Sequence, residues 1–519
     1  MAEGAERPQT DSRDEGIVRR NTRIFARAAV LVAAALVVAF LVQILIDAVA
    51  PDRSLGEALR RPWTISAEEL QPAIANISRT FNQLIAVVIM ALAIAVPLTA
   101  NMYTPKLLEI FLGDRVNRWV LGLFVFSTAN TLWVAARVQG GHVPRFGLVL
   151  TFVLLLACFS VIVPYFFYVF RFLHPAHILD RLRQSASHLV QELPKLTRRG
   201  KITALQADLR DRIEYVTSLG MRSLDREDRE VAQGALASMQ NVMETYAGVK
   251  REIDEGWFKP RFKDAMGMSN EAMRALEASR TWVEMECLRQ VELLFLSALA
   301  KASDLVGAAC QVLREVGLRA ARDGETPVLE LATDFFHSFL RATINARDVR
   351  SAYHVLYQYR LLAEALLEDA PDTVGEMAQR LCYYAGVVVQ AGLDFVAETI
   401  AYDLGTLCHK AHDRESAAFE SVMGALASLP HKNLAGQPLK GVHKASLILA
   451  AQLELAQDAR GAALLAPVKG LSHDVRAGVF SDLLDEPPQR FWEVTDRLVN
   501  FDYTPPELRA AIEHIKSRM

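Results

Sequence analysis

The chain has 519 residues, 51% of them hydrophobic and 23% charged, with a formal net charge of −3. That length accommodates two domains or more, and the near-neutral balance excludes the global basic signature of a nucleic-acid-binding protein. The five cysteines (Cys158, Cys287, Cys310, Cys382 and Cys408) are odd in number and widely spaced, which argues against a disulfide framework and fits a reducing compartment.

In chain order, residues 1–20 are polar and read as a disordered tail. Four stretches without any charge follow, Ala28–Ile46, Thr80–Pro105, Trp119–Ala136 and Phe146–Phe170, each bracketed by charged residues. About 20 apolar residues at 1.5 Å each cross a hydrocarbon layer of about 30 Å. The pattern therefore predicts a membrane domain over 21–173 with four transmembrane helices, near 24–48, 80–104, 118–138 and 146–172. Arg13, Arg19, Arg20, Arg23 and Arg27 precede the first span; Lys106, Arg115 and Arg118 lie between the second and third; Arg171, Arg181, Arg183, Lys195, Arg198, Arg199 and Lys201 follow the fourth. The positive-inside rule places these three regions in the cytoplasm, so both the N-terminus and the C-terminal part are expected there. The first span has a rival reading, because Ala48-Val49-Ala50 before Pro51 resembles a leader-peptide cleavage site. Its long apolar core favours an uncleaved anchor.

Ser66 and Glu69 have capping-box spacing, and Leu70, Ile74 and Ile77 share a helical face. An amphipathic helix leading into the second span is expected. Pro97 and Pro164 predict kinks in spans two and four. In span three, Ser127, Asn130 and Thr131 share one face. Two readings stand: a polar pathway through an oligomer, or hydrogen bonding between helices. Lys106, Asp114, Arg115 and Arg118 cluster at the inner turn. They read either as charges at the inner mouth of a pore or as helix capping with headgroup contacts.

The run Tyr103-Thr104-Pro105-Lys106-Leu107-Leu108, then Phe111-Leu112-Gly113-Asp114-Arg115, then Val120-Leu121-Gly122-Leu123-Phe124-Val125 resembles the bacterial predicted membrane proteins called domain of unknown function 2254. The best match runs from about Arg79 to Leu182, and the His-containing segment from His174 is similar to that family's. Gly220-Met221-Arg222-Ser223-Leu224 and Asp228 resemble a further segment of it, but Asp225-Arg226-Glu227-Asp228 stands where the family usually carries Pro-Gly-Ile-Asn-Asp. The resemblance implies a bacterial inner-membrane protein and carries no activity with it.

From 174 to 519 the sequence reads as an all-α cytosolic domain, with a break near 256–265. Trp282, Met285, Leu288, Val291, Phe295 and Leu299 form a stripe at helical spacing, with Glu284, Glu286, Arg289, Gln290 and Glu292 as its polar face. Turn signals fall at Pro194–Gly200, Asp323–Pro327, Ala370–Asp372, Leu429–Pro438, Pro467–Gly470 and Pro487-Pro488, and Thr504-Pro505-Pro506-Glu507 reads as a capped helix start. A solenoid of helix pairs and an irregular bundle both suit this pattern.

Two clusters have metal-ligand chemistry: His174 with His177, and Cys408, His409, His412 and Asp413. Neither supplies the four ligands of a structural zinc site, so no metal and no cofactor is expected. The sequence has no Gly-rich phosphate loop, no Gly-x-Ser-x-Gly elbow, no His-Glu-x-x-His pair and no EF-hand loop. The expected function is therefore non-enzymatic. The leading reading is a homo-oligomeric pore or transport-related protein in the lipid bilayer with a helical regulatory domain. The alternative is a membrane-anchored scaffold or stress sensor that binds a cytosolic protein partner.

Overall fold

A computed structural model describes residues 67–102, 111–139, 144–197, 201–260, 269–429, 437–485, 501 and 503–519, with isolated positions between 30 and 38. Apart from those positions, the first expected span lies outside the described residues, as do Ser66 and Lys106. Every described element is a helix, and there is no strand among the described residues. The chain divides into two compact units at Gln184/Ser185.

The N-terminal unit contains three helices long and apolar enough to cross a membrane, within α1 (Ala67–Met102), α2 (Arg115–Gln139) and α3 (Arg145–Leu173). The amphipathic segment expected before span two is the uninterrupted start of α1, which also continues as helix through Pro97. Along α1 the buried residues are Ile74, Ser78, Phe81, Ile85, Val88, Leu92, Val96 and Ala100. Their three-to-four spacing makes one seam, the pattern of two helices packed along their length. Ile74 meets Val134 and Val138 near the end of α2, so the two helices run antiparallel. Between the seam residues Val87, Met90, Ile94 and Leu98 are exposed. An apolar face left open on a helix of this hydropathy is a lipid-facing surface.

Helix α3 approaches α2 at Gly147, where an added Cβ would stand 2.8 Å from Val134 Cγ2. Only a residue without a side chain permits that approach without displacing Val134. Helix α4 (Pro175–Thr197) follows.

The C-terminal unit is built from α5 (Ile202–Leu224), α6 (Arg229–Val249), α7 (Asn270–Ser279), α8 (Trp282–Lys301), α9 (Val306–Asp323), α10 (Thr326–Ala346), α11 (Val349–Ala365), α12 (Pro371–Gln390), α13 (Asp394–Asp413), α14 (Phe419–Ser428), α15 (Gln437–Leu455), α16 (His473–Leu484) and α17 (Pro506–Ser517). Packing follows chain order. Helices α6, α9, α11, α13 and α15 form a row in which each packs on the next, and α5, α8 and α10 line up beside its first members, as α12 and α14 do further along. Helix starts follow local chemistry. Asp228 caps α6 through Val231 N, Ser269 caps α7 through Ala272 N, Asp348 caps α11 through Ser351 N, and Pro371 opens α12. The expected cap at Thr504 is different: its hydroxyl donates to Leu483 O at 2.7 Å, tying the chain before α17 to α16 instead.

The expected polar face of α8 is also different. Glu284, Glu286 and Gln290 are buried together with Trp282, Val283, Cys287, Leu288 and Val291. The reason is position: α8 packs on α5, α6, α9 and α10, so neighbours cover both sides. Its buried polar groups bond one another, Gln290 Nε2 donating to Glu286 Oε1 at 2.8 Å and Arg289 Nη2 to the same carboxylate at 3.0 Å.

The first helices meet at a 3-10 segment, Glu255–Phe258. The buried Trp257 carbonyl accepts from Gln206 Nε2 on α5 and from Trp282 Nε1 on α8, both at 2.9 Å. Its own indole donates to Tyr246 Oη on α6 at 3.0 Å. The Trp257 and Trp282 rings lie 5.0 Å apart. Trp257→Ala removes the packing and the indole bond together and is expected to cost about 3–5 kcal/mol. The check is thermal unfolding of the solubilised protein followed by labelling of the buried thiols Cys287 and Cys310, which become reactive at lower temperature in the variant.

Candidate functional site

Two places in the molecule concentrate polar chemistry. The first is the interface of α2 and α3. Ser127 and Thr131 are buried and Asn130 is half-buried. Ser127 Oγ donates to Leu123 O at 2.7 Å and lies 3.4 Å from Cys158 Sγ of α3. Thr131 Oγ1 donates to Ser127 O, and Asn130 Nδ2 donates to Thr151 Oγ1 of α3 at 2.9 Å. Thr151 in turn donates to Gly147 O. Each of the three residues singled out on span three therefore has a partner on its own helix or on α3.

At the turn before α2 the structure separates the charges by role. Asp114 Oδ1 accepts from Val116 N at 2.9 Å and Asn117 N at 3.2 Å, which makes it the cap of α2. The same oxygen accepts from Tyr168 Oη of α3 at 2.8 Å. Asn117 Nδ2 donates to Phe111 O, and the Phe111 ring meets Phe172 edge-on at 5.4 Å. Arg115 and Arg118 are exposed on the other side of the turn. Beyond α3, His174 and His177 lie 5.7 Å apart, and Arg171 Nε donates to His177 Nε2 at 3.4 Å. Burial, with Arg171 adding to it, holds the His177 imidazole below its usual pKa.

The Cys408 cluster comes together only in part. Cys408 is buried, and burial pushes its thiol up to about 12. His409 and His412 both approach Asp413, at 3.5 and 3.6 Å, and His412 also meets Asp458 at 3.3 Å. The Arg460 guanidinium, bonded to both oxygens of Asp458, holds that carboxyl down at about 2. Among the described residues no group of three or more His, Cys, Asp or Glu side chains could hold a metal ion.

The second place is a cavity of about 410 Å³ in the C-terminal unit, lined from α6, the segment after it, α8, α9 and the start of α10. Lys250 sits in its floor. Its ammonium donates to Glu284 Oε1 at 2.8 Å and Glu325 Oε2 at 3.0 Å. The Lys250 and Glu284 side chains are 7% and 5% exposed, so the pair is withdrawn from water. Burial pulls the Lys250 ammonium down, but the two carboxylates outweigh it and its pKa stands above the ordinary value. Burial pushes Glu284 up, against the pull of Lys250. Glu284 Oε2 is buried without a hydrogen-bond partner. At the mouth, Arg251 donates to Asp323 O at 2.8 Å, Arg319 to Asp323 Oδ2 at 3.2 Å, and Arg322 is exposed.

Sequence reasoning missed this site because its three central residues, at 250, 284 and 325, belong to three separate elements. Its one local trace is Glu284 in the first turn of a strongly apolar helix.

Residues 21–253 match the profile of a family described as Predicted membrane protein (DUF2254). The match begins before the first expected span and ends just past Lys250, so it takes in one wall of the cavity while Glu284 and Glu325 lie beyond it. No curated protein and no solved structure matches the chain.

Lys250→Met leaves Glu284 buried without its ammonium and is expected to cost about 3–5 kcal/mol near neutral pH. In that variant the folded-state pKa of Glu284 lies above the unfolded one, so the folded state holds more protons. Stability then falls as pH rises through the raised value, and the penalty shrinks on acidification towards the ordinary carboxylate range. Thermal unfolding of the variant against the parent across that pH window checks the sign. For the membrane seam, Asn130→Ala is expected to loosen α2 from α3 by about 0.6–2 kcal/mol, measured by unfolding in mixed detergent micelles.

Proposed function

We propose that this membrane protein is a non-enzymatic, membrane-anchored scaffold or sensor of the bacterial inner membrane, its spans an anchor and its C-terminal helices a cytoplasmic binding surface for a protein partner. The observation that carries this reading is the row α6–α9–α11–α13–α15, each helix packed on the next in chain order. That is the packing order of a helical solenoid, an architecture whose extended surfaces bind peptides and proteins. Exposed apolar side chains on this row and on the helices beside it, Phe395 on α13, Leu293 and Leu296 on α8 and Tyr383 on α12, supply contact area for a partner. Basic residues at the inner turn and after α3 support the cytoplasmic placement.

A second reading, the homo-oligomeric conduit, draws on Arg115 and Arg118, which stay exposed beside the Asp114 turn. It requires copies of the chain to surround a polar path, whereas Ser127, Asn130 and Thr131 are partnered within one copy.

The two readings part in proteoliposomes containing the full chain. The scaffold reading expects no potassium, sodium or chloride flux above that of empty vesicles. It also expects photo-crosslinking groups at Leu296, Tyr383 and Phe395 to capture one recurrent partner in cells, while groups at the lipid-facing Val87 and Ile94 do not. Ion flux abolished by Arg115→Gln with Arg118→Gln would overturn it in favour of the conduit.

A further inference from the structure

The cavity around Lys250 is arranged as a dipole. Its floor holds one cation, Lys250, against two carboxylates, Glu284 and Glu325. Its rim holds three guanidiniums, Arg251, Arg319 and Arg322, against two carboxylates, Glu244 and Asp323. The depth is therefore net negative by one charge and the mouth net positive by one, while the whole lining is neutral. A purely anionic ligand would press a negative group towards the carboxylate pair, and a purely cationic one would pass three guanidiniums to reach it. A molecule carrying both charges satisfies both ends.

Three further features narrow the class. The Lys250 ammonium has three N–H groups and makes two bonds, which leaves one donor for an acceptor such as an amide carbonyl. Met243, Ala247, Val316, Ala320 and Val328 give the cavity apolar walls. Glu284 is almost fully buried and its unpartnered Oε2 has almost no accessible surface, so the carboxylate that the cavity presents to a ligand is the partly exposed Glu325. An ion-pair network serving packing alone explains the Lys250 bonds, but not the unfilled volume beside them. A volume of about 410 Å³ lies in the range of small-molecule sites.

We infer that this cavity binds a zwitterionic small molecule of the short-peptide class, its ammonium end towards Glu325 beside the Lys250 pair and its carboxylate end towards Arg251, Arg319 and Arg322. The site is independent of the partner-binding surface above, since it lies within the helix packing and uses none of the exposed apolar residues named there.

The test is calorimetric titration of the full chain in nanodiscs with L-leucyl-L-leucine and L-alanyl-L-alanyl-L-alanine. The singly charged analogues N-acetyl-L-leucyl-L-leucine and L-leucyl-L-leucinamide, together with inorganic phosphate, are the comparisons. At least one zwitterionic peptide is expected to bind, each singly charged analogue about tenfold more weakly, and phosphate without competing. Arg322→Gln, at an exposed position where folding is undisturbed, is expected to weaken peptide binding about tenfold and leave binding of the amide analogue unchanged. Absence of peptide binding at millimolar concentration, equal binding of the blocked analogues, or indifference to Arg322→Gln overturns the inference. Competition by phosphate also overturns it and reassigns the cavity as an anion site.

Discussion

The carbonyl of Trp257 holds the first part of the C-terminal unit together. A buried backbone oxygen demands a partner, and this one takes two, from α5 and from α8, while its own indole reaches α6. Three helices, α5, α6 and α8, are thereby fixed around a four-residue 3-10 segment. Fixing α6 against α8 also fixes Lys250 against Glu284, because each lies a short step along the chain from a member of that knot. The cavity opens beside that pair, lined from α6, α8, α9 and the start of α10.

Charge is handled in opposite ways in the two units. In the membrane spans, small hydroxyl side chains spend their bonds on their own helix, as Ser127, Thr131, Thr151 and Ser160 do. That economy is what a medium without water requires. In the C-terminal unit, full charges are buried and paired across helices. Arg360 meets Asp403 at 3.1 Å and Lys444 meets Glu398 at 2.9 Å, much as Lys250 meets Glu284. Such pairs contribute little net stability but penalise mispairing strongly. Along a row of similar helices they specify which neighbour sits where.

Much of the architecture was legible in the sequence. Three of the four charge-free runs fall in helices long and apolar enough to cross a membrane, and Pro371 and Asp323–Pro327 marked helix boundaries because proline and turn residues act locally. What was not legible depended on distance along the chain. The stripe from Trp282 to Leu299 identified a helix correctly, but the polar residues between its members, Glu284, Glu286 and Gln290, are buried as well, since periodicity cannot register a second neighbour on the far side. Thr504 had the spacing of a cap, yet its hydroxyl serves Leu483 instead. Asp114 was singled out among four charges near the start of α2, and only the fold separates its capping bonds and its link to Tyr168 from the exposed Arg115 and Arg118. The pairing of Lys250 with two carboxylates on other elements left no local pattern to find.

Helix α1 is 36 residues long, about 54 Å at the standard rise, and its buried seam runs from Ile74 to Ala100 without interruption. A hydrocarbon layer of about 30 Å covers only part of that length. The register of this helix is therefore set by α2 and not by the lipid around it. A bilayer that thins or thickens can slide along such a spine, or tilt it, without unpairing the seam. The membrane unit thus carries its own ruler: the hydrocarbon has the charge-free run after Arg79 to lie on, and the seam continues past that mark into the polar start of the helix.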